Sequence, residues 1–108
     1  MQLSAKDCIP CRGGTPPLGP EQSAELLLEL SDGWEVVANH HLQKTQHFKN
    51  FADALQFVNR IGTLADQQNH HPDLLLAWGK VTITVWTHKI DGLTESDFIF
   101  AAKCDALA

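Results

Sequence analysis

Asn50-Phe51-Ala52-Asp53-Ala54-Leu55-Gln56-Phe57-Val58-Asn59-Arg60-Ile61-Gly62-Thr63-Leu64-Ala65, followed by Asn69-His70-His71-Pro72 and then Val81-Thr82-Ile83-Thr84-Val85-Trp86-Thr87-His88, is the stretch on which the fold turns. Phe51, Ala54, Leu55, Val58, Ile61 and Ala65 fall 3, 4, 7, 10 and 14 residues from the first of them, a helical apolar stripe. Asn50 is a good N-cap, with Asp53 in the capping-box position. The spacing predicts a helix to about Gln68 that lays its stripe on a sheet. Asn69 to Pro72 breaks it, because proline disfavours helical geometry at the residue before it. Leu74 to Trp78 then reads as a strand, Gly79-Lys80 as a turn, and Val81 to His88 as the best strand in the chain. In that strand Val81, Ile83 and Val85 share one face, and Thr82, Thr84, Trp86 and His88 the other.

Upstream, Trp34 to Ala38 and Leu42 to Phe48 read as a hairpin joined by Asn39-His40-His41. A helix is expected from Gly19-Pro20, with Leu26, Leu27 and Leu30 on its apolar face and Ser31-Asp32-Gly33 as its stop. Downstream, Thr94 caps a last helix that runs close to the terminus. The order is α-β-β-α-β-β-α. Two hairpins separated by helices predict an α+β fold, a four-stranded antiparallel sheet with helices packed on one face. The Thr/Trp/His face is then left for solvent, ligand or another subunit.

The chain has 108 residues, enough for one core. Four of its five prolines and three of its seven glycines fall within residues 10–20, so residues 1–19 read as an extended arm and 20–108 as the domain. Thirteen acidic against eight basic residues give a formal charge of −5, with no basic run suited to a phosphate backbone, so no nucleic acid is expected. No apolar stretch approaches the roughly 18 residues of a membrane span. Lys6, Asp7 and Pro10 interrupt any signal-peptide core, and three cysteines are too few for a disulfide scaffold. A cytoplasmic setting is the expectation.

Six histidines and no tyrosine draw attention to proton transfer and metal binding. His70 and His71 lie at a helix-to-strand junction, and the hairpin that follows returns His88 to the same sheet edge. A pocket with acid, base and aromatic wall (Trp78, Trp86) is one reading; three solvent-facing loop histidines is the other. Zinc on His70, His71 and His88 is disfavoured because neighbours in an extended segment point to opposite sides. Cys8-Ile9-Pro10-Cys11 is half of a zinc site or a redox pair, with only Cys104 besides, and a reduced pair in the arm is the simpler reading. His40-His41 reads as surface and His47 as structural.

The run Asp66-Gln67-Gln68-Asn69-His70-His71-Pro72, continuing to Trp78, His88 and Asp97, resembles the signature of the pterin-4a-carbinolamine dehydratases. His47-Phe48-Lys49-Asn50-Phe51 and Thr87-His88 with Gly92-Leu93-Thr94 look like the family's flanking segments, and the resemblance covers about residues 20–107. It implies loss of water from a 4a-hydroxytetrahydropterin to give quinonoid dihydropterin, with no metal or redox cofactor. Hydroxide must be protonated to leave while the N5 hydrogen departs, which calls for acid and base groups titrating near neutrality. By the resemblance, His70 and His88 are the proton-transfer pair, His71 is a substrate contact in the catalytic cluster, and Asn69, Thr87 and Lys89 fall in pterin-contacting stretches. Relatives often carry Asp where Asn69 stands, and a smaller residue can stand where Trp86 does. Asp97 either orients His88 or completes a capping box with Thr94, and Asp66 is either part of the motif or a solvated helix position. The resemblance further implies a homodimer or homotetramer and an aromatic amino-acid hydroxylase as functional partner. A second reading is a non-catalytic protein-binding module of the same fold, an assembly factor or transcriptional dimerisation partner. All motif residues lie between Asp66 and Asp97, so the site is expected to draw nothing from the arm.

Overall fold

The computed structural model describes residues 3–9 and 16–108. Seven elements follow in the expected order: α1 (Pro20–Leu27), β1 (Glu35–Val37), β2 (His41–His47), α2 (Phe51–Gln68), β3 (Asp73–Ala77), β4 (Lys80–Val85) and α3 (Glu95–Leu107). The four strands form one antiparallel sheet in the order β1-β2-β4-β3. The α+β expectation is met, with Leu42, Val81, Ile83 and Val85 buried beneath the helices.

Local chemistry explains most boundaries. Gly19 precedes Pro20 in extended geometry, and its N–H donates to Gln22 Oε1 at 3.1 Å. α1 ends at Leu27, before the expected stop, and the chain continues in tight turns to Gly33, whose φ of +101° suits glycine. In the first hairpin the turn lies one residue earlier than the sequence suggested. Ala38 and Asn39 take positive φ of 53° and 51°, and His40 N–H donates to Val37 O at 2.9 Å, so His41 already belongs to β2. Gly79 turns the second hairpin at φ +72°, while its carbonyl accepts Phe48 N–H at 2.8 Å.

α2 begins as expected, with Asn50 Oδ1 accepting the Asp53 N–H at 2.7 Å. Its buried stripe keeps Ala54, Ile61 and Ala65 of the expected one, adds Phe57, and leaves out Phe51 and Leu55. Ala54, Phe57, Ile61 and Ala65 face the core, while Phe51 and Leu55 stay 43% and 41% exposed. The helix carries two adjacent apolar tracks, and the ring of Phe48, 5.1 Å from that of Phe57, belongs to the side the sheet covers.

β4 ends at Val85, three residues before the expected limit, and only an isolated bridge between Thr87 and Gly92 continues it. α3 is the central helix: Phe98, Ile99, Phe100, Ala101 and Cys104 are all buried. Burial pushes the Cys104 thiol well above the ordinary range, with Asp105 adding to the effect. Asp105 ties the far end of α3 to the sheet. It accepts from Trp34 Nε1 at 3.0 Å, Lys44 Nζ at 3.0 Å and the Ser31 N–H at 3.1 Å.

Part of the segment read as an extended arm packs on the domain. Leu3–Ala5 forms a 3-10 turn packed against α3, and Leu3 joins the core. An isolated leucine in an aperiodic, punctuated segment offers no pattern from which to foresee this. Cys11, half of the cysteine pair, lies outside the described residues.

Candidate active site

The end of α2 sets the site's geometry. Asn69 terminates the helix in left-handed conformation (φ 50°, ψ 42°), which short amide side chains tolerate better than most. The next two residues then diverge. His70 turns inward, its side chain 13% exposed, and Nε2 lies 2.6 Å from Asp97 Oδ1. His71 turns outward, with Nε2 3.0 Å from Asp66 Oδ1. The adjacent imidazoles thus have separate carboxylate partners, the divergence expected of neighbours in an extended segment. Among the described residues, no group of three or more His, Cys, Asp or Glu side chains is arranged to hold a metal ion.

Asp97 is fully buried in the first turn of α3. Its Oδ2 accepts the Thr94 N–H at 2.9 Å and the Thr87 hydroxyl at 2.8 Å, and Thr87 Oγ1 lies 2.9 Å from Thr94 Oγ1. One oxygen therefore caps a helix while the other holds His70. The sequence offered His88 or the cap as the partner of Asp97; the structure makes it the cap and His70. In the tautomer whose Nε2–H donates to this carboxylate, Nδ1 is the nitrogen able to accept a proton.

His88 reaches the same place by another route. It is exposed in the loop after β4, and its ring stacks on Trp86 at 4.4 Å with a 31° tilt. Trp86 in turn contacts His40 and His41, at ring distances of 5.3 and 6.1 Å. His40 Nε2 is 2.8 Å from Asp91 Oδ1, so the first hairpin's turn is fastened to the loop that carries His88. The His40-His41 pair, expected as plain surface, is half-buried because the shared face of β2 and β4 brings Trp86 beneath it. Burial and the neighbouring His40 hold the His41 imidazole below its ordinary value. His47 is an exposed residue of β2 and Trp78 is 73% exposed at the β3–β4 turn; neither lines the cavity.

Asn69, His70, His71, Thr87, His88 and Lys89 all border one cavity of about 300 Å³. Trp86, Gln68, Cys8 and Ile9 complete its lining. The sequence spacing placed His70, His71 and His88 at one sheet edge, and they do border one cavity, but it did not foresee that Cys8 and Ile9 border it too. Cys8 and Ile9 carry no periodic signal, and only the fold shows that they return to the motif. Here a buried carboxylate behind an inward imidazole, and a second imidazole on a tryptophan, share a cavity large enough for a small heterocycle. These are the kinds of group that proton transfer on a small molecule requires, gathered at one edge of the sheet.

The chain belongs to the pterin 4 alpha carbinolamine dehydratase family, whose model matches residues 16–107. A relative from Rubrobacter xylanophilus, provisionally named pterin-4-alpha-carbinolamine dehydratase, is 58% identical over 98% of this chain and 98% of its own. A relative from Alkaliphilus metalliredigens with the same provisional name is 54% identical over 95% of this chain and 93% of its own. Among solved structures, a transcriptional coactivator/pterin dehydratase from Brucella melitensis superposes with a TM-score of 0.80 at 32% identity, covering 85% of this chain and 98% of that one. A pterin dehydratase-like protein described as a RuBisCO assembly factor of the alpha-carboxysome gives 0.61 at 26% identity, covering 70% of this chain and 89% of its own.

Proposed function

We propose that this protein removes water from a 4a-hydroxytetrahydropterin to give the quinonoid dihydropterin, by general acid–base catalysis from His70 and His88. The observation that carries the reading is the 2.6 Å contact between His70 and the buried Asp97 at the cavity wall. A neutral His70 takes the N5 proton through Nδ1, and Asp97 stabilises the imidazolium that results. His88, protonated, gives its proton to the C4a hydroxyl, which leaves as water while the N5–C4a double bond forms. The two transfers leave the substrate short of one water and each imidazole ready to exchange its proton with solvent. His71, braced on Asp66, is the substrate contact of the cluster, with Asn69, Thr87 and Lys89 around it. General acid–base catalysis of this kind contributes about 10²–10⁴-fold. The substrate is the form in which an aromatic amino-acid hydroxylase releases its tetrahydropterin, so such an enzyme is the functional partner.

A protein-binding role is the second reading, favoured by Leu75 and Trp78, 57% and 73% exposed on and beside edge strand β3. The same surface suits subunit pairing, and a homodimer or homotetramer is the form expected in sedimentation equilibrium. The two roles separate in one experiment: stopped-flow absorbance of 4a-carbinolamine decay with wild type, His70→Ala and His88→Ala. Acceleration by wild type and its loss in both variants, with folding intact, supports the enzyme; a wild-type rate equal to the uncatalysed background sinks it.

A further inference from the structure

The N-terminal segment is stitched to the two helix ends that build the site. Lys103 Nζ donates to Ser4 O at 2.9 Å, and Lys6 pairs with Glu95 at 3.6 Å. The Gln68 side chain then grips the segment twice, accepting the Cys8 N–H at 2.8 Å and donating to Asp7 Oδ1 at 3.3 Å. Ser96, itself buried, accepts the Ile9 N–H at 3.0 Å and donates back to Ile9 O at 3.2 Å. Gln68 stands two residues before His70, and Ser96 immediately before Asp97. The anchors of Asp7, Cys8 and Ile9 are therefore sequence neighbours of the imidazole–carboxylate pair. All of residues 3–9 lie ahead of the span that the family model matches.

This anchoring leaves Ile9 bordering the cavity while 68% exposed. Ile9 and Trp86 are the two large apolar side chains in the lining. A two-bond clasp on a buried serine that presents an aliphatic side chain at a cavity edge has a physical use when a ligand covers that side chain. A pterin is a flat heterocycle whose edge needs hydrogen bonds and whose faces need apolar cover.

We propose that Ile9, clasped by Ser96 at the end of a segment that Gln68 holds through Asp7 and Cys8, is a substrate-binding residue that supplies apolar cover to the bound pterin and sets affinity for it. The identity of the ligand rests on the dehydratase reading above. The arm is then a wall of the site, joined to it through the residues next to His70 and Asp97.

The test uses the full chain as wild type, Ile9→Ala and Ile9→Leu. Two quantities are read: kcat and KM for 4a-carbinolamine dehydration, and the Kd of 7,8-dihydrobiopterin from quenching of tryptophan fluorescence. Shortening an apolar contact that substrate and transition state share raises KM and Kd together, here about fivefold for Ile9→Ala, with kcat changed by less than about twofold. Ile9→Leu restores wild-type values, and the thermal midpoint of Ile9→Ala stays at wild type because the side chain is mostly exposed. A variant with wild-type KM and Kd overturns the proposal while leaving the dehydratase reading intact. A wild type that accelerates no dehydration, yet binds dihydrobiopterin with an Ile9-dependent Kd, overturns the reaction and supports the arm as a wall. A wild type that neither reacts nor binds overturns both.

Discussion

Asp97 is fully buried and its two oxygens have separate duties, Oδ1 to His70 and Oδ2 to the Thr94 N–H and Thr87 hydroxyl. Replacing it by asparagine keeps the size and part of the cap but removes the charge that stabilises a His70 imidazolium. Asp97→Asn is therefore expected to lower kcat by about 10²-fold or more, with a smaller loss of stability, read by stopped-flow kinetics beside thermal melting. The carboxylate was legible in the sequence as a member of a spaced pattern. Its partner was not, because spacing along the chain cannot tell which of two histidines the first turn of α3 will meet. His41 makes a different residue-scale prediction. Its imidazole is held below the ordinary value of 6.5 by burial and then by His40. The unfolded chain thus binds the extra proton more readily than the folded one. The stability tied to His41 is full above pH 6.5 and is lost as the pH falls from there through the lowered folded value. Thermal midpoints measured from pH 8 to pH 5 should fall on the acid side in wild type and fall less in His41→Gln.

At the scale of elements, type and order followed from periodicity, and the errors fell where two physical solutions were close. α2 offers two neighbouring apolar tracks, and a stripe count cannot say which one the sheet covers; Phe57 is buried and Phe51 is not. The first hairpin's turn was misplaced by one residue because Ala38 gives no sign that it adopts φ 53°. That conformation is costly for a residue with a Cβ, whereas Asn39 beside it tolerates the same region. Ala38→Gly should consequently stabilise the protein, by about 0.5–1 kcal/mol in chemical denaturation at unchanged m-value. β4 also stops earlier than its alternating pattern, since Thr87 gives its hydroxyl to Asp97 and only its backbone bridges to Gly92. The strand pattern continues past the point where the site takes over the side chains.

The whole molecule shows why the histidines converge although they come from different segments. α2 delivers His70 at its C-terminal end, α3 delivers Asp97 at its N-terminal end, and the second hairpin returns the chain so that His88 comes back beside them. This much of the arrangement follows from element order and is legible in the sequence. The arm was not readable. Its attachment depends on single residues, Leu3 in the core and Asp7 to Ile9 on Gln68 and Ser96, with no repeat to announce them. The central claim is that this arrangement moves two protons on a 4a-hydroxytetrahydropterin. The most direct measurement generates that carbinolamine in a stopped-flow cell and follows its absorbance decay with wild-type protein, His70→Ala and His88→Ala. The account predicts acceleration by wild type and a fall of about 10²-fold or more in each variant, with unchanged circular dichroism. Decay at the uncatalysed rate with wild-type protein, or full activity in His70→Ala, would contradict it.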